Sequence, residues 1–290
     1  MNETPYTTKM LGLVTLYNPN PQEAASNIKR YIDDVDALII WDNSPLEKCQ
    51  KTTIVNYLSD YTDKIIWQGD GQNHCIAPAI NYAWNYAKEH GYHLLLIMDQ
   101  DSQWEDFGAF RQSVEKLHRE NSECVICPYI LGNDSFEITQ EVQAKRTFIN
   151  SGSVLPVKML QKIGGADEAF ALDALDHDLA IRLQKAGFCI VCLTKHILHH
   201  TVGNACRMGP FHLFTNNYGP ERTYSMAKAH IMLYKKHRSW FTSQEKRDII
   251  KEHYILRFIR ILLAEPQKWL RLRMFFKGMY EGVIHTVNKQ

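Results

Sequence analysis

The sequence predicts an α/β protein with a doubly wound, mostly parallel sheet and C-terminal helices. Three observations predict it. Short apolar runs alternate with amphipathic segments through the first third of the chain. One run, Leu94 to Met98, is apolar without a break, as suits a strand buried on both faces. From Glu221 onward the pattern is helical.

The elements follow in order. Leu11–Leu16 reads as a strand, and Asn18-Pro19-Asn20-Pro21 opens a helix over Gln22–Tyr31. Ala37–Trp41 is a second strand, closed by Asp42-Asn43-Ser44-Pro45. Lys51–Tyr61 is helical and Lys64–Trp67 a short strand. In Pro78–His90, Ile80, Ala83, Trp84 and Ala87 share one helical face, and Gly91 ends the helix. The strand at Leu94 completes a β-α-β-α-β-α-β order, which implies right-handed parallel crossovers. Beyond it, Phe107–Glu120 reads as a helix and Cys124–Pro128 as a strand. Phe148–Leu155 is a strand interrupted by Ser151-Gly152-Ser153, and Leu175–Ala186 is a helix stopped by Gly187. The stretch Gly203–Pro220 reads as a mobile loop. Residues 1–220 form the expected main domain and 221–290 a helical segment.

With 290 residues, 45% of them hydrophobic and 22% charged, the chain has the material for a sizeable core. A formal charge of +1 gives no electrostatic footprint for nucleic acid. No apolar run approaches a bilayer span and the polar N-terminus is no signal peptide, so a cytoplasmic location is expected.

Seven cysteines include two CxxC pairs, Cys124/Cys127 and Cys189/Cys192. That spacing invites zinc. Both pairs lie in β-rich runs, however, where residues three apart point to opposite faces and cannot chelate one ion. Buried free thiols are the expectation, and an odd count in a reducing compartment argues against a disulfide framework.

The chemistry gathers where the apolar run at Leu94 stops, in Asp99-Gln100-Asp101-Ser102. Ligands of open α/β sheets bind outside the carboxyl ends of the strands. Two carboxylates there suit a hard divalent cation, Mg²⁺ or Mn²⁺, that can bridge to a diphosphate. The competing reading is a strand-end turn capped by aspartates.

Five segments in order carry a resemblance: Val14-Thr15-Leu16-Tyr17-Asn18-Pro19, Ile39-Ile40-Trp41-Asp42-Asn43-Ser44, Asn73 to Asn81, Met98-Asp99-Gln100-Asp101-Ser102, and Phe148-Ile149-Asn150-Ser151-Gly152-Ser153. Together they resemble family 2 glycosyltransferases of the GT-A fold, the bacterial rhamnosyltransferase branch in particular, over roughly Leu11 to Gly203. The resemblance implies a nucleotide-sugar site formed by Thr15, Tyr17, Asn18, Asp42, Asn73, Asp99, Asp101, Ser151 and Gly152. It implies a nucleotide-diphosphate sugar as donor, dTDP-rhamnose favoured, and a cation held by Asp101. Asp42 has two readings, an acceptor for the N–H of a pyrimidine base or a turn-forming residue before Asn43-Ser44-Pro45.

The acceptor side rests on Asp173-Ala174-Leu175-Asp176-His177-Asp178, ahead of Arg182. A carboxylate at a helix N-terminus stays ionised and can take the proton of an attacking hydroxyl. By resemblance Asp176 matches the usual base, while Asp178 sits where many relatives carry Glu, so both stay open. Either is also readable as a helix cap. In His199-His200-Thr201-Val202-Gly203, His200 matches a third metal ligand or diphosphate contact, and Arg222 a diphosphate contact, with Lys228 in place of a second cation. The chain departs from relatives at Ala171-Leu172 and Leu179, where they carry aromatic residues, which bears on the acceptor pocket.

Positions 251–290 hold eight Lys or Arg against three Glu, an excess of five positive charges. Tyr254, Ile255, Phe258, Ile259 and Leu262 form one stripe, and Trp269, Leu270, Leu272, Phe275 and Phe276 an apolar patch. This suits either a helix lying on an anionic membrane or packing beneath a solvated basic face. The expected activity is an inverting, metal-dependent sugar transfer to a glycan or lipid-linked acceptor in surface polysaccharide synthesis. Its rivals are a nucleotidyltransferase, against which the absence of a Gly-rich basic first turn argues, and a sugar-nucleotide-binding protein without catalysis.

Overall fold

The computed structural model describes residues 8–132, 134, 136–170, 172–200 and 206–286. Ala171, Thr201, Val202, Gly203 and Lys289, which entered the sequence reading, lie outside them. The chain divides into two compact units. Unit 1 is Met1–Ala171 with Arg182–His200, and unit 2 is Leu172–Ile181 with Thr201–Gln290.

Unit 1 begins with strand β1 (Met10–Leu16), helix α1 (Pro21–Lys29), β2 (Ala37–Asp42), α2 (Lys51–Tyr57), β3 (Ile65–Gln68), α3 (Ala77–Glu89) and β4 (Leu94–Asp99). It continues through β5 (Gln103–Trp104), α4 (Phe107–Glu120), β6 (Cys124–Leu131), β7 (Val142–Ala144), β8 (Ser153–Pro156) and α5 (Val157–Ile163). Helix α6 (Leu175–Lys185) passes from unit 2 into unit 1, which ends with β9 (Cys189–His199). The strands form one sheet in the order β3-β2-β1-β4-β8-β6-β9-β5, with β7 also on β9. The first four are mutually parallel, as predicted from their helical crossovers. Strand β8 enters antiparallel between β4 and β6.

Local signals explain the early elements. Asn20 caps α1, its Oδ1 accepting from the N–H groups of Gln22 and Glu23, and Pro21 occupies the first turn. Asp106 caps α4 through the Ala109 N–H. Leu94 to Met98 are fully buried, which accounts for the unbroken apolar run. Around them Trp104, Phe107 and Phe110 pack with Met10, Val14 and Leu38 in the main core.

Four expectations need correction. The helix at Lys51 ends at Tyr57 and only a 3-10 turn covers Ser59–Tyr61. The strand expected over Phe148–Leu155 is confined to Ser153–Pro156. Before it the chain turns at Gly152, with φ +79°, and a Cβ there would stand 2.6 Å from Leu198 Cδ2. The described part of the expected mobile loop holds a hairpin, β10 (Cys206–Met208) and β11 (Leu213–Thr215), too short for a period of two to show in sequence. Finally, Cys124 and Cys189 form a disulfide. Residues three apart on one strand do face opposite sides, but β6 and β9 are parallel and in register. Each cysteine therefore meets its counterpart across the ladder, Cys124 opposite Cys189 and Cys127 opposite Cys192. Cys127 and Cys192 remain buried thiols, and the hydrogen bond between them pushes Cys127 well up and Cys192 down.

Unit 2 continues with α7 (Pro220–Lys236), α8 (Ser243–Ile250), a π-helical segment at Lys251–Leu256, α9 (Arg257–Leu263) and α10 (Lys268–Ile284). Thr242 and Glu245 close a capping box on α8. Helices α7 and α10 approach closely because Gly278 lies against the Tyr224 carbonyl, where a Cβ has no room. Behind them a small core of Ala227, Ile261, Leu272 and Phe275 gathers Tyr254, Phe258 and Met279.

The polar centre of this unit is Glu265. Its carboxylate accepts from Arg257 Nη1, Arg271 Nη1 and Thr215 Oγ1, and all four residues are buried. Burial pushes this carboxyl up, but the three donors outweigh it and hold it below the usual glutamate range. Two of the eight basic residues of the tail are thus internal ion-pair partners. Glu265→Ala should cost about 3–5 kcal/mol in a urea melt of the chain, because two guanidiniums stay buried without their anion. A loss within about 0.5 kcal/mol, as for an ordinary surface position, would show that the cluster is dispensable.

Candidate functional site

Strand pairing builds the site. Along β1 and β4, Thr15 stands opposite Asp99, and along β1 and β2, Leu16 stands opposite Asp42, so the three strands end level. Past Asp99 the chain turns, and β5 pairs antiparallel with β9, Gln103 opposite His199. That register carries Asp101 and Ser102 to His200, nearly a hundred residues away in sequence. Ligand atoms of Asp99, Asp101 and His200 all lie within 4.8 Å of one another. His200 Nδ1 is 3.7 Å from Asp101 Oδ1, with the His200 side chain largely buried and that of Asp101 half exposed.

A buried hydroxyl chain supports the triad. The Asp99 N–H donates to Ser151 Oγ at 3.1 Å, and Ser151 Oγ–H donates to Ser102 Oγ at 2.7 Å. Ser102 Oγ is hydrogen-bonded to His200 Nδ1 at 2.8 Å. This partner holds the orientation of the imidazole, as outer residues do around metal-bound histidines. Two carboxylates and an imidazole converging on one point, with one carboxylate open to water, fit a divalent cation that accepts mixed O and N ligands, Mn²⁺ above Ca²⁺.

Around the triad the remaining sequence-predicted residues separate. Tyr17 is 50% exposed, and its backbone exchanges hydrogen bonds with the Gln100 side chain, tying the end of β1 to the Asp99–Asp101 turn. Asn18 takes a left-handed conformation (φ 45°), and its N–H donates to Ser44 Oγ at 2.8 Å. Asp42 is buried, and its Oδ1 accepts from the Ser44 N–H at 2.9 Å, which is the turn reading. Its Oδ2 is buried with no hydrogen-bond partner among the described residues. Asn73 is exposed and accepts from the Cys75 N–H at 2.9 Å. That loop is held by Asn43, whose Oδ1 accepts from the His74 N–H and whose Nδ2 donates to the Cys75 carbonyl. Asn43, Gln100 and Ser102 organise the strand ends, yet only their neighbours were singled out from sequence. A side-chain amide or hydroxyl flanking a carboxylate motif carries no pattern of its own.

Ser151 and Gly152 are both buried, Ser151 hydrogen-bonded to the Asp99 N–H and Ser102, Gly152 close to Leu198 and Pro128, so the structure places them beside the triad.

Within unit 2, the aspartates at the start of α6 have distinct environments. Asp178 is fully buried, and its Oδ1 meets Lys236 Nζ and His237 Nε2, each at 2.8 Å. A carboxylate sealed between these groups is a structural anchor, which removes Asp178 from the two candidates for the base. Asp176 is half-buried, and its Oδ1 accepts from the His177 N–H at 2.8 Å. Asp173 lies 3.5 Å from Arg222 Nε, and its carboxyl is pushed up by burial against the opposing Arg222 charge. Arg222, expected at a diphosphate, also stacks on Tyr218 at 4.5 Å, so the ion pair and the ring fix its guanidinium.

No family model matches the sequence, and no curated protein matches it. Solved structures do match the fold. A mannosyltransferase from Pyrobaculum calidifontis, in complex with GDP-Man and Mn²⁺, aligns with TM-score 0.59 at 13% identity, over 98% of this chain and 77% of its own. S. aureus TarS 1–349 in complex with UDP-GlcNAc aligns with TM-score 0.57 at 12% identity, over 95% and 80%. GalNAc-T7 with UDP, GalNAc and Mn²⁺ gives 0.59 at 7% identity, over 94% and 57%. Against the longer S. aureus TarS structure this chain spans 44% of the partner's length. The architecture is therefore the GT-A-like glycosyltransferase fold expected from sequence. Among the described residues no helix is long and apolar enough to cross a membrane.

Two substitutions test the triad. Asp101→Ala should abolish calorimetric binding of Mn²⁺, and Ser102→Ala should weaken it by about 10–100-fold by releasing His200. Wild-type affinity in a folded Asp101→Ala protein would end the metal assignment.

Proposed function

We propose that the chain is an inverting, metal-dependent glycosyltransferase that uses a nucleotide-diphosphate sugar. The observation that carries this reading is the convergence of Asp99, Asp101 and His200 at the end of a central strand. Support comes from the solved counterparts of the fold, two of them with Mn²⁺ and with GDP-Man or UDP. A divalent cation at this triad supplies the positive charge that stabilises the departing diphosphate. Asp42 Oδ2, buried and unpartnered, is the acceptor for a base N–H. Thr15 and Tyr17 flank the same strand ends. From the resemblance of the five segments the donor is dTDP-rhamnose, and the acceptor a glycan or lipid-linked saccharide in surface polysaccharide synthesis.

Asp176 carries the deprotonation. Its carboxylate takes the proton of the acceptor hydroxyl, that oxygen forms a bond to the anomeric carbon, and the bond from that carbon to the diphosphate oxygen breaks. Asp176→Asn should lower transfer by about 10²–10⁴-fold while nucleotide-sugar affinity stays near wild type, since an amide cannot accept the proton. Equal transfer by Asp176→Asn and wild type would make Asp176 a cap alone. A panel of dTDP-, UDP- and GDP-sugars, followed for Mn²⁺-dependent hydrolysis, identifies the donor. The same panel separates the non-catalytic alternative, which binds without turnover.

The tail gives the acceptor a surface on which to arrive. Trp269, Phe276, Tyr280 and Val283 follow one another on α10 at helical spacing and are 52–84% exposed. Since Arg271 and Phe275 of the same helix are internal, deletion would unfold the unit, and point changes are the proper test. Trp269→Ser with Phe276→Ser should release the protein from anionic vesicles without loss of Mn²⁺ binding. Sedimentation in which wild type itself ignores such vesicles at low salt would end the membrane reading.

A further inference from the structure

Unit 2 holds a partly open cavity of ≈ 170 Å³ lined by no residue assigned above to metal or base. That is many times the room a single water needs. Arg257, Arg260, His230 and His253 stand on its wall, with Tyr218 and Asn216 at the polar side and Phe275 on the apolar side. Arg257 is 8% exposed, and its two terminal nitrogens are committed, Nη1 to Glu265 and Nη2 to Thr223 Oγ1. Its Nε–H is buried with no partner among the described residues. His230 and His253 stack at 3.6 Å between ring centroids.

We propose that this cavity binds a phosphoryl group, of a soluble phosphomonoester or of a lipid phosphate, through Arg257 Nε, Arg260 and the stacked His230 and His253. A buried guanidinium held by Glu265 and Thr223, with its Nε–H unpartnered among the described residues, is preorganised for an oxyanion. The imidazoles add N–H donors that need no desolvated charge in the empty state. The π-helical segment Lys251–Leu256 puts Glu252 and His253 on the wall, an irregularity frequent at functional sites. Among the described residues Glu252 is the one carboxylate on the wall, and it lies 3.3 Å from Arg260, which offsets its charge.

Titration supports the geometry. Burial pushes both imidazoles down, His253 to about 4 and His230 well below its usual value. His253 is lowered also by His177 on α6 and Arg260 on α9, against Glu252 on its own segment. His230 is lowered also by His253 and His177. An anion in contact reverses part of this, so binding takes up protons and strengthens as pH falls toward the raised value. The site is independent of the strand-end reading, since no residue is shared.

The test uses the full chain labelled with ¹⁵N-histidine, titrated with glucose 1-phosphate, with farnesyl phosphate in micelles, and with pH-invariant sulfate. Saturable shifts of the His230 and His253 rings, with proton uptake in calorimetry, are expected from at least one phosphate. Which of the two saturates assigns the source. His253→Gln touches no ion pair and should weaken binding about tenfold or more. It keeps the proposal testable should Arg257→Gln unfold the unit. No ring shift with either phosphate, or equal affinity in folded His253→Gln, overturns the site, and Mn²⁺ binding by the triad would be untouched in either case.

Discussion

The strand ladder between β5 and β9 is the constraint on which the candidate site depends. Asp99 and Asp101 are neighbours by sequence and come together wherever β4 stops. His200 is not, and only the pairing of Gln103 with His199 delivers it beside Ser102 and Asp101. A slip of one residue would turn His200 to the other face of the sheet and leave the carboxylates without their nitrogen partner. The chain from the Asp99 N–H through Ser151 and Ser102 to His200 then holds the arrangement, its two serines fully buried. The site is thus anchored on rigid strand ends, and its only half-open ligand is Asp101.

A similar economy runs through unit 2. Charges that look like a solvated basic face in sequence are partly internal, because Glu265 collects Arg257 and Arg271 while Asp178 collects Lys236 and His237. Breaking either cluster leaves unpaired ions in a dry interior, a larger penalty than the pair's own net contribution.

The parallel half of the fold was legible because its signals are local: Asn20 and Pro21 open a helix, and the short unbroken run Leu94 to Met98 suits a doubly buried strand. The placement of Asp99 and Asp101 followed from the same run. What could not be read is pairing across distance. Within each strand the CxxC cysteines face opposite sides, yet Cys124 and Cys189 join across the ladder, since register between β6 and β9 is not written in either segment. The hydrogen bonds of Ser151 to the Asp99 N–H and Ser102 are likewise contacts across distance that its motif does not announce. Asp176 and Asp178 are indistinguishable by spacing, and only Lys236 and His237, contributed by a helix far along the chain, separate them.

The central claim is that Asp99, Asp101 and His200 together bind a catalytic divalent cation. Electron paramagnetic resonance of Mn²⁺ on the full chain, with a nucleoside diphosphate present, tests it most directly. Bound Mn²⁺ carrying the hyperfine coupling of one imidazole nitrogen, lost in His200→Gln, is the predicted result. Mn²⁺ that binds without nitrogen coupling, or with coupling that survives His200→Gln, would contradict it.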